Sequence, residues 1–353
     1  MSSLKPPISD WLNITILTYI VMAYSIGITL LLQSSWGLNG LGFLLLIHSL
    51  VLSAAATHEL IHGNLFKQRW ANGWAGRLMT HLNGACYAPY ENLVQHHLNH
   101  HIHHADFVPF EIVDFFKTLP QPLLRFCTFL EWAYFPLFEF VLRGRMMVMP
   151  FMNSDTLDAD TLDADTLDAD TLDADTLDAE KAHLRGRTLL LMAYRGSLFA
   201  LLGWASPKAL ILYAVAYICF VNLMRFVDAF HHTYDYVVMG ADIPKRDRTY
   251  EQAHTFSNLV SARYPWLNLL YLNFGYHNAH HHDMRCPWYS LPQLHTTLYG
   301  DQAKALLPLP QLIGNYHQFR LDRLFGGQGV VANGSDELAA FTGGIGVSFL
   351  TPP

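Results

Sequence analysis

Apolar residues in this chain run in long uncharged blocks, not in the narrow stripes of a water-soluble helix. Residues 11–32 are 22 positions without one charge, enough to cross a hydrocarbon layer of about 30 Å as a helix. After a short Gly/Ser turn at 33–40, residues 38–57 form a second uncharged block, interrupted only by His48. A later pair, 188–205 and 209–226, is also apolar but contains Arg195 in the first and Arg225 near the end of the second. An arginine in a span is costly unless it snorkels or faces protein. The pattern predicts four transmembrane helices in two hairpins. With no basic leader or small-residue cleavage site, the first block reads as a retained span and not as a signal peptide.

Basic residues give the orientation. The turn inside the first hairpin has no Lys or Arg and that inside the second has only Lys208, whereas Lys67, Arg69, Arg77, Lys117, Arg125, Arg143 and Arg145 follow the first hairpin. The positive-inside rule then puts that segment, the segment after Arg225 and both termini in the cytosol. Residues 123–142 are rich in aromatics but contain Glu131 and Glu139, which suits an interfacial or partly buried helix better than a span.

Composition agrees with a surface that partly avoids water. Charged residues are only 14% and hydrophobic ones 51%, against about 25% charged in a soluble domain. The formal charge of −7 is local in origin. Residues 155–179 are five tandem copies of Asp-Thr-Leu-Asp-Ala, and 155–180 hold 11 of the 29 acids, leaving 18 against 22 Lys and Arg. One leucine per repeat buries too little to offset chain entropy, so 155–180 reads as a solvated, disordered insert. A calcium-binding tract is a poorer reading, because the glycines of calcium-binding repeats are missing. The membrane domain thus covers 1–325 around that insert, and 326–353 is a Gly- and Pro-rich flexible tail. Neither charge figure points to nucleic acid or to another acidic partner. The four cysteines form no Cys-x-x-Cys pair, which argues against a disulfide framework or a thiolate metal site.

Chemistry concentrates in the 20 histidines, most of them clustered. His58 and His62 directly follow the second apolar block. His96, His97, His100 and His101 form a second cluster, trailed by His103 and His104. Asp228, His231 and His232 follow the fourth block, and His277, His280, His281 and His282 form the last cluster. Residues at i, i+3 and i+4 share a helical face, so His58/His62, His97/His100/His101, Asp228/His232 and His277/His280/His281 each form one. Neutral imidazole is a ligand for iron, zinc and copper. Two hairpins returning to one membrane side would let all four clusters converge there. Isolated histidines such as His81, His183, His254 and His317 read as surface or packing residues, and His48 as a hydrogen-bonded packing residue. His103, His104, His282 and His295 stand between packing and orienting the ligands. His58-Glu59-Leu60-Ile61-His62 also fits the His-Glu-x-x-His zinc peptidase pattern, but about three ligands suffice there and six or more histidines would go unexplained. A metal transporter would want its polar ligands at mid-bilayer, where only His48 and Arg195 lie.

Taken together, His58 and His62, then His97, His100 and His101, then His277, His280 and His281 resemble the three histidine boxes of the integral-membrane fatty-acid desaturase family. The likeness runs from about Leu38 to His282, the acidic insert aside, and includes box order and the long gap before the last box. It implies an all-α integral membrane protein with four transmembrane helices and a cytosolic helical cap carrying the boxes. It also implies a non-haem di-iron centre, two Fe held by those eight histidines and by His232. The family places an asparagine four residues before that last ligand to hold an iron-bound water. Here Asp228 stands in its place, either binding iron or holding the water. His231 is the alternative to His232, and His96 is its counterpart in the second box.

The activity implied is O2-dependent desaturation of an acyl lipid or acyl thioester, with hydroxylation or ketone formation as the sister outcomes. The chain has no haem-binding Cys-x-x-Cys-His, no His-Pro-Gly-Gly segment and no convincing Gly-x-Gly-x-x-Gly site. A separate electron donor, a ferredoxin or a cytochrome b5, is therefore expected, along with membrane lipids as neighbours.

Overall fold

The computed structural model describes residues 8–108, 112–152, 174–238, 241–300, 306–325, 338–345 and 350. Helices α1 (Asp10–Leu31) and α2 (Trp36–Ile61) come first, followed by α3 (Arg69–Asn83), α4 (Tyr90–His103), α5 (Ile112–Thr118), α6 (Gln121–Trp132) and α7 (Leu137–Val148). Then come α8 (Ala174–Ala205), α9 (Pro207–Asp228), α10 (Arg248–Ala253), α11 (His277–His282), α12 (Leu291–Tyr299), α13 (Leu309–Gln318) and α14 (Asp322–Phe325). Four stretches are long and apolar enough to cross a membrane: Asp10–Leu31, Trp36–Ile61, Lys181–Ala205 and Pro207–Asp228. Their outward faces carry exposed Ile14, Leu44, Leu190, Trp204 and Ile211. So broad an apolar exterior is a liability in water and an asset in lipid, which fits a membrane protein.

The second of these helices outruns its apolar block. Hydropathy ends near Thr57, but the helix continues to Ile61 because Thr57, His58, Glu59 and Leu60 are all buried against protein. α1 and α2 lie antiparallel across a four-residue turn. The Asn39 amide donates to the carbonyls of Leu30, Leu31 and Gln33, satisfying groups that the end of a helix leaves open. Lys208, at the start of α9, donates to Gln33 O and Asn39 Oδ1 at 2.8 and 2.7 Å. Further along, Ser49 donates to Ile20 O at 2.7 Å. Between these contacts the two backbones meet at glycines: a Cβ on Gly42 would lie 2.7 Å from Gly27 O and from Leu30 Cβ. Close approach through small residues substitutes for a hydrophobic driving force in lipid. Gly42→Val should therefore destabilise the detergent-solubilised protein by about 1–3 kcal/mol, the usual cost of overpacking, read as a lower thermal midpoint.

α9 opens on Ser206, whose Oγ accepts from Ala209 N, with Pro207 at the first helical position. The Tyr24 and Tyr213 hydroxyls meet at 2.9 Å and join α1 to α9. Arg195 faces protein: it donates to His81 O at 2.5 Å and to Cys86 Sγ at 3.8 Å. Arg225 is buried and donates to Glu131 Oε2 at 2.9 Å. The stretch 123–142 is not one helix but parts of two, α6 and α7, divided at Tyr134, whose φ is +62°. Each is 12 residues long, too short for a span. Its acids are buried because they are paired, Glu131 with Arg225 and Glu139 with Arg143, both at 2.9 Å.

The fold adds a strand pair to the all-α expectation. β1 (Asp106–Val108) runs parallel to β2 (Tyr236–Val238), with Asp106 opposite Tyr236. The ladder ties the segment that follows α4, which carries the second histidine cluster, to the segment after α9, which carries His231 and His232. Of the acidic repeat, 155–173 lie outside the described residues, and the last copy, 175–179, belongs to α8, which starts at Ala174. Extending an existing helix costs less than nucleating one. The tail has packed parts: Phe341 and Leu350 are buried, and Gly344 N donates to Ala229 O at 2.6 Å.

Candidate metal centre

Histidines reach the site from four separate elements. His58 sits in the last turn of α2 and His62 caps it. α4 presents His97, His100 and His101, and the six-residue α11 presents His277, His280 and His281. His232 lies beyond α9, held by a bridge to Thr255. Helical spacing turns the rings of each segment to one side, and tertiary packing sets those sides face to face.

The rings form two adjoining groups. In one, ligand nitrogens of His58, His62, His97, His101 and His280 all lie within 4.8 Å of one another, and in the other so do those of His100, His232 and His281. Nε2 of His97 is 2.9 Å from that of His62 and 3.1 Å from that of His101, and His280 Nε2 is 3.3 Å from His101 Nε2. On the second side, His232 Nε2 is 3.2 Å from His100 Nε2 and 2.7 Å from His277 Nε2, which brings His277 to that group. Glu251 also forms a group with His101 and His281.

Burial sets the protonation of these rings. It pushes His62 down to about 3. His97, His101, His232, His277, His280 and His281 are held well below the usual imidazole range, by burial first and then by repulsion between neighbours. Neutral imidazole is the form that binds metal. His100 differs: burial lowers it, but the hydrogen bond to Asp106 and that acid's charge outweigh burial and raise it.

These residues fit a metal on chemical grounds. Nε2 of His281 is buried without a hydrogen-bond partner among the described residues, and the Nε2 atoms of His62, His97, His101 and His280, and of His100, His232 and His277, crowd against one another at 2.7–3.3 Å. Buried polar atoms are nearly always satisfied, and crowded Nε2 lone pairs would be satisfied together by a cation. An all-imidazole donor set suits iron, zinc or copper. The other nitrogens are oriented: His100 Nδ1 lies 3.0 Å from both Asp106 Oδ1 and Ala105 O, and His281 Nδ1 3.0 Å from Glu251 Oε1.

Other candidates stand apart from these groups. Asp228 belongs to neither, although its charge acts on His100. His231 bonds to Asn258 Oδ1 at 2.8 Å and stacks on His277 with ring centroids 4.0 Å apart. His96 packs beside Phe107, as does His103. His104 Nδ1 is 3.6 Å from Glu251 Oε1, while His295 packs on Tyr276 and Tyr299. His282 ends α11, and its carbonyl accepts from Arg248. His48 meets the Tyr19 hydroxyl at 2.7 Å, as a packing residue would. Glu59, the residue that would activate water in a zinc peptidase, is buried and accepts from Trp288 N at 3.0 Å.

Asp106, Glu251 and Thr255 are the partners that sequence reasoning missed. Asp106 follows the second cluster closely enough to have been noticed, whereas nothing local marks Glu251.

A search of curated proteins and a search of solved structures each gave no match. The family model described as fatty acid desaturase matches residues 34–312, well over half of the chain, and takes in every histidine of both groups. Residue spacing, buried geometry and this match agree, and the chain belongs to the fatty acid desaturase family.

Proposed function

We propose that this protein is an O2-dependent membrane desaturase that introduces a double bond into the acyl chain of a lipid or thioester. The observation that carries the reading is the pair of adjoining groups of imidazoles packed inside the protein, at the ends of two helices fit to span a membrane. His58, His62, His97, His101 and His280 would hold one iron. His100, His232, His277 and His281 would hold the other, with Asp228 beside them. Iron at these positions would supply the O2 activation needed to take hydrogen from an unactivated C–H bond.

The chain's own residues do the rest. Burial keeps the rings other than His100 unprotonated and shuts bulk water away from the site. Asp106 and Glu251 hold two rings in place. A largely apolar cavity of about 420 Å³, lined by Phe135, Phe140, Phe199, Leu210, Tyr213 and Tyr217 among others, lies between α7 and helices α8 and α9. Its walls suit an acyl chain. The distribution of Lys and Arg supports a cytosolic cap built on two hairpins, with electrons arriving from a separate ferredoxin or cytochrome b5.

Expression in a host that lacks the activity, followed by mass spectrometry of its fatty acids, tests this. A new cis double bond is the expected product. A hydroxylated or ketone product would move the chain to the sister chemistry of the same centre. An unchanged lipid profile, with one zinc and peptide cleavage in the purified protein, would overturn the reading.

A further inference from the structure

Arg195 carries a charge within an apolar helix, and no acid answers it. Arg143 of α7 pairs with Glu139 and Arg225 of α9 with Glu131, both at 2.9 Å. The half-buried Arg195 of α8 donates instead to His81 O at 2.5 Å and to Cys86 Sγ at 3.8 Å. Its guanidinium lies 5.9 and 5.7 Å from the ring centroids of Tyr87 and Phe199, and the Tyr87 hydroxyl bonds to it. These neighbours are neutral, because burial raises the Cys86 thiol and the Tyr87 hydroxyl above their usual ranges. Among the described residues no carboxylate pairs with Arg195. A guanidinium has five N–H donors, so a carbonyl, a thiol and a hydroxyl do not fill the fork.

The same side chain lines the cavity of about 420 Å³ between α7 and helices α8 and α9. Contacts fix its depth. The Asn83 amide donates to Thr57 Oγ1 at 3.1 Å, and Thr57 ends the second uncharged block. His81 and Cys86 flank Asn83 in the chain, so the guanidinium they hold stands at the histidine end of the apolar layer. From there the walls run toward the turn between α8 and α9, past Phe199 and Leu210. One end of the cavity is cationic and the rest is largely apolar. An unanswered charge in such a place is costly, and an occupant of opposite charge removes the cost.

We propose that this cavity binds an anionic phospholipid, with its phosphate on the Arg195 guanidinium and an acyl chain along Phe199, Leu210 and Tyr213. Guanidinium forks match phosphate oxygens in a bidentate way, and a bilayer brings phosphate to this depth with a chain attached. A zwitterionic head would carry its own cation toward Arg143 and Arg195, which share the wall. The proposal rests on the reading of this cavity as an acyl-chain site and is independent of the metal.

Native mass spectrometry of delipidated full-length protein, titrated with phosphatidylglycerol or phosphatidylcholine of the same chains, tests it. Wild type should bind the first about 10–100-fold more tightly, the usual weight of hydrogen bonds to a charged group. Arg195→Gln should lose that preference. Ala214→Trp, which fills the cavity from α9 and keeps the guanidinium, should weaken the binding of both lipids. Circular dichroism checks that each variant keeps its helices. Equal affinity of wild type for the two lipids, an unchanged preference in Arg195→Gln, or tighter binding of oleate than of phosphatidylglycerol would overturn the anionic phospholipid while leaving the acyl-chain site standing. Wild-type affinity for both lipids in Ala214→Trp would remove that site as well.

Discussion

Alanine in place of His101 should cost the protein its activity and about half of its metal. His101 Nε2 lies 3.1 Å from His97 Nε2 and 3.3 Å from His280 Nε2, and the residue also belongs to the set with Glu251 and His281. It therefore stands where the two positions adjoin. Changing a residue that only orients a ligand typically costs about 10–100-fold in affinity or activity, so losing the ligand should cost at least about 100-fold. His97→Ala and His281→Ala should match it, each from its own side. Membrane insertion should survive all three, because the apolar helices do not depend on these rings. Iron counting and product analysis on the same preparations separate a lost ligand from a lost fold. Full activity in all three variants would refute the ligand assignment, and His96→Ala, outside both groups, should keep two irons.

The largest stability effect should come from a pair outside both histidine groups. Glu131 is buried, with Oε1 accepting from Phe138 N at 2.7 Å and Oε2 from Arg225 at 2.9 Å. Arg225 also donates to Ile345 O at 3.2 Å. Glu131→Ala leaves the guanidinium buried without its counter-charge, which typically costs about 3–5 kcal/mol. Thermal unfolding in detergent should show that loss. Iron content should fall too, because Arg225 lies in the last turn of the helix that leads to His232. The double variant Glu131→Leu/Arg225→Met should recover most of the stability, since well-packed apolar residues often replace a buried ion pair without loss. A single variant as stable as wild type would show that the pair is solvated.

Much of the fold was legible because membrane spans announce themselves by uncharged length. The block 11–32 and helix Asp10–Leu31 differ by one residue at each end. The second block was read too short, since hydropathy cannot register that Thr57 to Leu60 are buried by the rest of the protein. Spacing alone showed that His97, His100 and His101 share a face. It could not show that His100 turns to one group and His97 to the other, because that division depends on where His232 and His62 arrive from. Asp228 was named for its spacing from His232; it ends α9 and lies outside both histidine groups, while its charge acts on His100. Glu251 was invisible because it lies 30 residues from His281 in the chain and touches it only in the folded molecule.

The shortness of α11 has a consequence for how such a protein is made. Six residues cannot hold a helix alone, and this one supplies His280 to one group and His277 and His281 to the other. A ribosome releases the early imidazoles long before these, so neither cage can close until residue 281 has been synthesised. If these groups hold metal as proposed, a nascent chain offers only partial chelates, and the full set of donors forms late, as the last box docks.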